Sequence, residues 1–169
     1  MKKDNEIPHS AVPLVWWKRR WAQNGIFILI GIVGVYGFVY WDVVSRARES
    51  YQEAEKYMLW AQNPDKKKEF YENDFRVKKE ELDKERSKKK LPEEDYRRKL
   101  DALEFDKQYA IEESSLKYAY QWYKDTAELF SPPESRWVKM AREKTPPTLA
   151  LWKQELTSQG VPFEDYMFE

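Results

Sequence analysis

Charged side chains are the main chemical resource of this chain, and their spacing assigns most of them to solvent. Acid–base and metal chemistry need convergent partners. The single histidine, His9, stands alone in a polar arm between Pro8 and Pro13. There is no cysteine, so no thiolate nucleophile, thiolate zinc site or disulfide framework can form. Thirty Lys and Arg residues are matched by thirty Asp and Glu. Glu72/Arg76, Glu80/Lys84 and Glu85/Lys89 are spaced i,i+4 with the acid first. Such pairs support a solvated helix at about 0.2–0.5 kcal/mol each. Carboxylates that do acid–base work are instead held together in a pocket. The chain has no phosphate-cradling glycine loop, HExxH or GxSxG. The expectation is a protein that is not an enzyme, with no redox cofactor, metal or small-molecule substrate. Lys88, Lys89 and Lys90 form a basic run, but interleaved acids and the lack of a binding-fold signature argue against nucleic acid.

One cluster has specific chemistry. Trp16, Trp17, Lys18, Arg19, Arg20 and Trp21 read WWKRRW. Three adjacent cations framed by indoles suit an acidic lipid of the cardiolipin type, the one ligand expected here. The plainer reading is an interfacial anchor that holds a helix end at the headgroups.

The next twenty residues account for the position of this cluster. Residues 22–41 contain no Asp, Glu, Lys or Arg. A helix of that length covers roughly 30 Å, the thickness of a bilayer's hydrocarbon core. Tyr36, Tyr40 and Trp41 close the stretch with a second aromatic belt. A single transmembrane helix is expected. Five basic residues precede it (Lys2, Lys3, Lys18, Arg19, Arg20) against two acidic ones (Asp4, Glu6). Of the thirty of each sign, 25 basic and 28 acidic residues come after it. The positive-inside rule then keeps the N-terminus on the cytoplasmic or matrix side.

Gly31, Gly34 and Gly37 recur every third residue along the span. Glycine is costly in a helix, and its use in a membrane is the close approach of another backbone. A heptad-like seam continues from Gly37 and Tyr40 through Val44, Ala47, Tyr51, Ala54, Met58 and Ala61. This seam is expected to meet a neighbouring helix of another subunit, or else the chain's own downstream region. No Gly or Pro falls between Gly37 and Pro64, so the helix should run straight through 42–62.

Beyond it, Asn63-Pro64 starts a charged helix with Asn as N-cap, and Pro92 with Glu93, Glu94 and Asp95 starts another that should reach Phe130. A hairpin about Leu91-Pro92 is expected within 63–130, with an apolar seam too thin to stand alone. In 131–169, Ser131-Pro-Pro-Glu134 reads as a capping box opening a short helix, and Thr145-Pro-Pro opens the last one. Gly160 is the expected C′ residue. Trp122, Trp137, Trp152, Phe163, Tyr166 and Phe168 are aromatics of a kind that docks on a partner surface. The expected fold class is all-α. The parts are a basic, aromatic arm (1–21), a transmembrane helix (22–41), its continuation (42–62) and a charged, extended multi-helix region with no independent globular core.

The WWKRRW entry and the GIVGVYGFVYW span, within a layout running from Trp16 to Trp137, resemble the single-span accessory subunits of mitochondrial respiratory complexes. Those around the membrane arm of complex I are nearest, and ATP synthase and cytochrome oxidase have peripheral subunits of similar layout. The resemblance implies an inner-membrane subunit with its N-terminus in the matrix and its C-terminal region in the intermembrane space. It would assist assembly beside other subunits and lipids. The alternative is a membrane-tethered coiled-coil scaffold or adaptor, against which the sparse seam after Asp65 argues.

Overall fold

Helices carry nearly all of the described residues, 20–88 and 91–168, in this computed structural model, and none of those residues forms a strand. The all-α expectation holds. The chain divides into two compact units, Met1–Asp42 and Val43–Glu169. Helix α1 (Arg20–Gln62) begins in the first and ends in the second. It is unbroken, as the absence of Pro within it permits.

The described part of the first unit is the apolar, N-terminal part of α1. It is exposed along nearly its whole length and is long and apolar enough to cross a membrane.

The second unit holds the rest of α1 with α2 (Pro64–Ser87), α3 (Glu93–Glu112), α4 (Ser115–Leu129), α5 (Arg136–Ser158) and a 3₁₀ turn, Asp165–Phe168. Pro64 opens α2 as expected, but Asn63 does not cap it with its side chain. The Asn63 amide instead donates back to the Leu59 carbonyl at 3.3 Å, closing α1. Pro92 is the N-cap of α3 rather than its first residue, with the three acids in the first turn where the helix dipole favours them.

Helices α2 and α3 form the expected hairpin. Its seam is thin and largely polar. Tyr96 donates to Asp83 (2.6 Å), Arg86 stacks on the Tyr96 ring (4.6 Å) and pairs with Glu93 (2.9 Å), and Lys107 covers Phe75 (4.3 Å). Charge pairing on α2 differs from the simple i,i+4 expectation. Glu72 pairs with Lys68 (3.9 Å), Arg76 bonds to Asn73 (2.6 Å), and Glu85 reaches across to Lys99 (3.8 Å), while Lys89, its expected partner, lies outside the described residues.

Three sequence expectations fail at helix ends. The helix from Pro92 does not reach Phe130. It stops at Glu112, where Glu113 turns extended and Ser114 caps α4 by accepting from the Lys117 amide at 3.1 Å. The Ser131-Pro-Pro-Glu134 box does not form. Ser131-Pro132 and Pro132-Pro133 are cis, and Ser135 is the true N-cap, accepting from the Val138 amide at 3.3 Å. Nor does Thr145-Pro-Pro open a helix, because α5 passes through Pro146 and Pro147. Each proline removes its own i→i−4 bond and crowds the carbonyl four residues before it, a local cost that the packing must offset. The packing of Val138 and Ala141 before the pair and Thr148 after it holds both halves in line. The C-terminal end of α5 is as expected. Gly160 takes φ +68°, Val161 N–H donates to Leu156 and Gly160 N–H to Thr157, a Schellman ending.

The buried cluster lies where the C-terminal half of α1 meets α4 and α5. Tyr51 and Ala54 come from α1, Ala119 and Tyr123 from α4, and Ala141 from α5. The three alanines are fully buried, which lets the helix backbones approach closely, and the two tyrosines fill what remains.

Candidate interaction surfaces

One of the anticipated surfaces is open, two are used within the chain, and most of the basic, aromatic anchor lies outside the described residues. The apolar surface of α1 is open. Phe27, Val33, Phe38 and Trp41 are all exposed, and a Cβ built at Gly31, Gly34 or Gly37 meets nothing within 4 Å. Trp21 and Tyr40 are exposed at its two ends. Trp16, Trp17, Lys18 and Arg19 lie outside the described residues, as does the Arg20 side chain. Tyr166 also points outward.

The seam after Tyr40 is different. Ala47, Tyr51 and Ala54 are buried, with Val44, Met58 and Ala61 half-buried. Their neighbours are α4 and α5, so the own-chain reading of this seam is the one the structure adopts. Helix α4 runs antiparallel to α1, with Ser50 near Thr126, Tyr51 near Tyr123 and Tyr57 stacked on Tyr118. Helix α5 runs parallel to it, with Trp137 on Tyr51 and Lys144 at Glu55.

At the centre of this junction is a polar network that the sequence did not single out. Glu55 accepts from the Tyr123 hydroxyl and from the Lys144 ammonium, whose charge also faces the Tyr51 ring (5.5 Å). Burial alone would raise the Glu55 pKa, but the hydrogen bonds from Lys144, Tyr123 and Tyr51 outweigh it and hold the carboxyl below its ordinary value. For Lys144, burial pulls downward and the bonds to Glu55 and Tyr51 win, so its pKa is raised. Burial, then the bond to Glu55, pushes the Tyr123 phenol far up. Nearby, Thr126 donates to the Trp122 carbonyl at 2.7 Å, so Ser50 must be the donor in the buried Ser50–Thr126 pair.

This network implies a pH dependence. A carboxyl whose folded pKa is depressed adds stability above its ordinary value, 4.5, and that stability is lost as pH falls through the folded value. A raised lysine adds stability below 10.5 that is lost above the folded value. Glu55 and Lys144 are each about two-fifths exposed, so water screens the pair and the effect is modest. Glu55→Gln is expected to make the fall in unfolding midpoint below pH 4.5 shallower than in the parent. A parallel fall in both would remove Glu55 as a contributor.

A second staple joins the hairpin to α4. Lys67 is only 5% exposed and donates to the Glu113 carbonyl, at the point where α3 ends. Burial lowers its pKa, against the opposing pull of Glu113 and Glu155. The Glu113 carboxylate takes bonds from Lys117 (2.5 Å) and the Tyr118 hydroxyl (2.8 Å), which pushes the Tyr118 phenol up to about 12. Ser114 adds a bond to Glu155 on α5.

Most of the aromatics expected on a partner surface are engaged by the chain itself. Phe168 is buried, with its ring edge-on to Trp152 (5.0 Å) and to Phe163 (5.5 Å), and Lys153 lies over it (4.8 Å). Its carbonyl accepts from Tyr120 (2.6 Å) and Lys124 (3.1 Å). Trp152 also packs on Tyr120 (5.6 Å), and Trp122 and Trp137 flank the buried cluster. Lys153–Asp165 (2.6 Å) fastens the tail further.

Among the described residues no three His, Cys, Asp or Glu side chains converge in a way that could ligate a metal ion. Comparison with protein-family models, characterised proteins and solved structures finds no match to this chain.

Proposed function

We propose that this chain is a single-span, non-catalytic structural subunit that helps assemble and stabilise a larger membrane complex. The observation that carries the reading is the apolar surface of α1. It is exposed from Phe27 to Trp41, and Gly31, Gly34 and Gly37 leave room for another backbone to come close. Lipid gains nothing from glycine, whereas a packed helix does. The layout resemblance extends the proposal to a respiratory-chain complex of the mitochondrial inner membrane, complex I before ATP synthase or cytochrome oxidase. The N-terminus would then lie in the matrix. The scaffold alternative loses support because the Ala47–Tyr51–Ala54 seam, its natural self-association face, is occupied by α4 and α5.

The test is purification of the tagged full-length chain in a mild detergent, with a native gel and mass spectrometry of its companions. A high-mass band with stoichiometric partner subunits is expected. Recovery only as a small homo-oligomer would overturn the proposal in favour of the scaffold. In the same experiment, the triple change Gly31→Leu, Gly34→Leu, Gly37→Leu is expected to leave the chain in the membrane fraction and deplete it from that band. An undiminished band would show that the glycine stripe is not the contact.

A further inference from the structure

Helices α4 and α5 turn at residues 130–135, and this turn sits at the end of the second unit where the chain enters it. Ser50 bonds to Thr126 at 2.7 Å, and Phe130 and Trp122 wall a groove with Arg46 and Glu49. These α1 residues lie within two turns of Val43, the first residue of the unit. The turn carries apolar side chains outside the core. Leu129 is 72% exposed, Phe130 is half-buried and Pro132 is exposed.

Two arginines accompany them. The guanidiniums of Arg48 on α1 and Arg136 at the start of α5 lie 5.8 and 5.6 Å from the Trp137 ring centroid, and both residues are exposed. A guanidinium stacked on an indole keeps its N–H edges for other acceptors. Among the described residues neither arginine pairs with a carboxylate. Glu134 on the turn is taken by Arg142 at 2.7 Å, while Glu49 and Glu128 are exposed at the flanks.

We infer that this end of the unit is a membrane-contact surface, with Leu129, Phe130 and Pro132 entering the headgroup layer and Arg48 and Arg136 binding phosphates of anionic phospholipid. The inference rests on reading α1 as a membrane span. Covalent continuity selects the occupant. Val43 comes two residues after Trp41, so a spanning α1 tethers this end of the unit at a bilayer surface. Its chemistry fits that layer, where a tryptophan, long cationic side chains and a few apolar groups are each favourable.

The lack of cysteine permits single spin labels. Full-length Leu129→Cys, Leu151→Cys and Val33→Cys variants are labelled and reconstituted into phosphatidylcholine vesicles containing about one-third phosphatidylglycerol. Relaxation by oxygen is compared with relaxation by a water-soluble nickel chelate. Labels at 33 and 129 should favour oxygen, and the label at 151, also exposed but on the other half of α5, should favour nickel. Adding Arg48→Gln and Arg136→Gln to the 129-labelled chain should shift its lipid-to-water ratio toward water on the order of tenfold. If 129 favours nickel while 33 favours oxygen, the contact surface is overturned and the span reading stands. If 33 itself favours nickel, the span reading fails and this inference with it. Shielding of 129 from both reagents would replace lipid by a protein neighbour. An unchanged ratio after the double arginine change would overturn the phosphate assignment.

Discussion

Replacing Tyr123 by alanine is expected to destabilise the second unit by about 3–5 kcal/mol. Tyr123 is fully buried at the meeting of α1, α4 and α5. Its ring packs on Tyr51 at 5.6 Å, in a cluster that also holds Ala54, Ala119 and Ala141, with Met58, Trp137 and Met140 packed against it. Alanines cannot re-pack to fill a missing ring. The close approach of the helix backbones limits collapse, while Met58 and Met140 can take up part of the gap, so the usual range for losing a buried ring applies. The loss would be a large fraction of a domain stability of about 5–15 kcal/mol. Tyr123→Phe separates packing from hydrogen bonding. It keeps the ring and removes only the bond to Glu55, which retains Lys144, so about 1 kcal/mol is expected. Denaturant unfolding of the full-length chain in detergent, monitored by near-ultraviolet circular dichroism, measures both. Equal losses in the two variants would mean that the hydroxyl, not the ring, holds the junction. A loss under 1 kcal/mol for the alanine variant would remove Tyr123 from the core.

The sequence made the helices legible and left the packing among them hidden, for identifiable reasons. The apolar run, the Pro64 and Pro92 starts and the Gly160 ending are local signals, read from one residue's backbone chemistry, and each is found. The Ala47–Tyr51–Ala54 seam was equally visible, but a seam states that something packs there and not what. Its partner comes from residues some 65 to 90 positions later and cannot be read by spacing. The Ser131 and Thr145 helix starts failed because a proline preceded by Ser or Thr is only a permissive signal. Tertiary contacts on both sides of Pro146 and Pro147 outweighed it. Lys67 was invisible for another reason. It stands between Lys66 and Lys68 in a run that reads as a solvated face, yet it alone of the three is buried, by the carbonyl that ends α3. The Glu55–Tyr123–Lys144 network joins three helices, and each member looks like an ordinary surface or core residue in its own helix. The Ser114 cap had a readable signal, a pair of serines after two acids, which the expectation of one helix from Pro92 to Phe130 passes over.

Val33→Arg is expected to abolish stable membrane integration, the second large effect. Val33 lies near the middle of the charge-free stretch, where a valine is mildly favourable and an arginine costs about 2.5–3.5 kcal/mol on the insertion scale. The exchange is therefore worth about 3 kcal/mol, more than a hundredfold in the insertion equilibrium. An arginine near either end could reach the headgroups, but from the midplane its side chain is too short to do so without distorting the bilayer. Among the described residues nothing else compensates, since α1 is the one helix there long and apolar enough to cross. Leu59→Arg is the control. Leu59 is also exposed on α1 but belongs to the second unit, and its exchange should leave integration unchanged. Alkaline carbonate extraction of membranes carrying each variant reads the result, with Val33→Arg in the soluble fraction and Leu59→Arg retained. If Val33→Arg stays in the pellet while remaining monodisperse in detergent, a companion helix is supplying a polar path for the arginine. That outcome would argue that the glycine-lined surface is covered before the chain reaches lipid. Retention with no companion subunit recovered would leave the span reading without its energetic basis. The two outcomes differ in what co-purifies, so the integration assay also reports on the proposed assembly role.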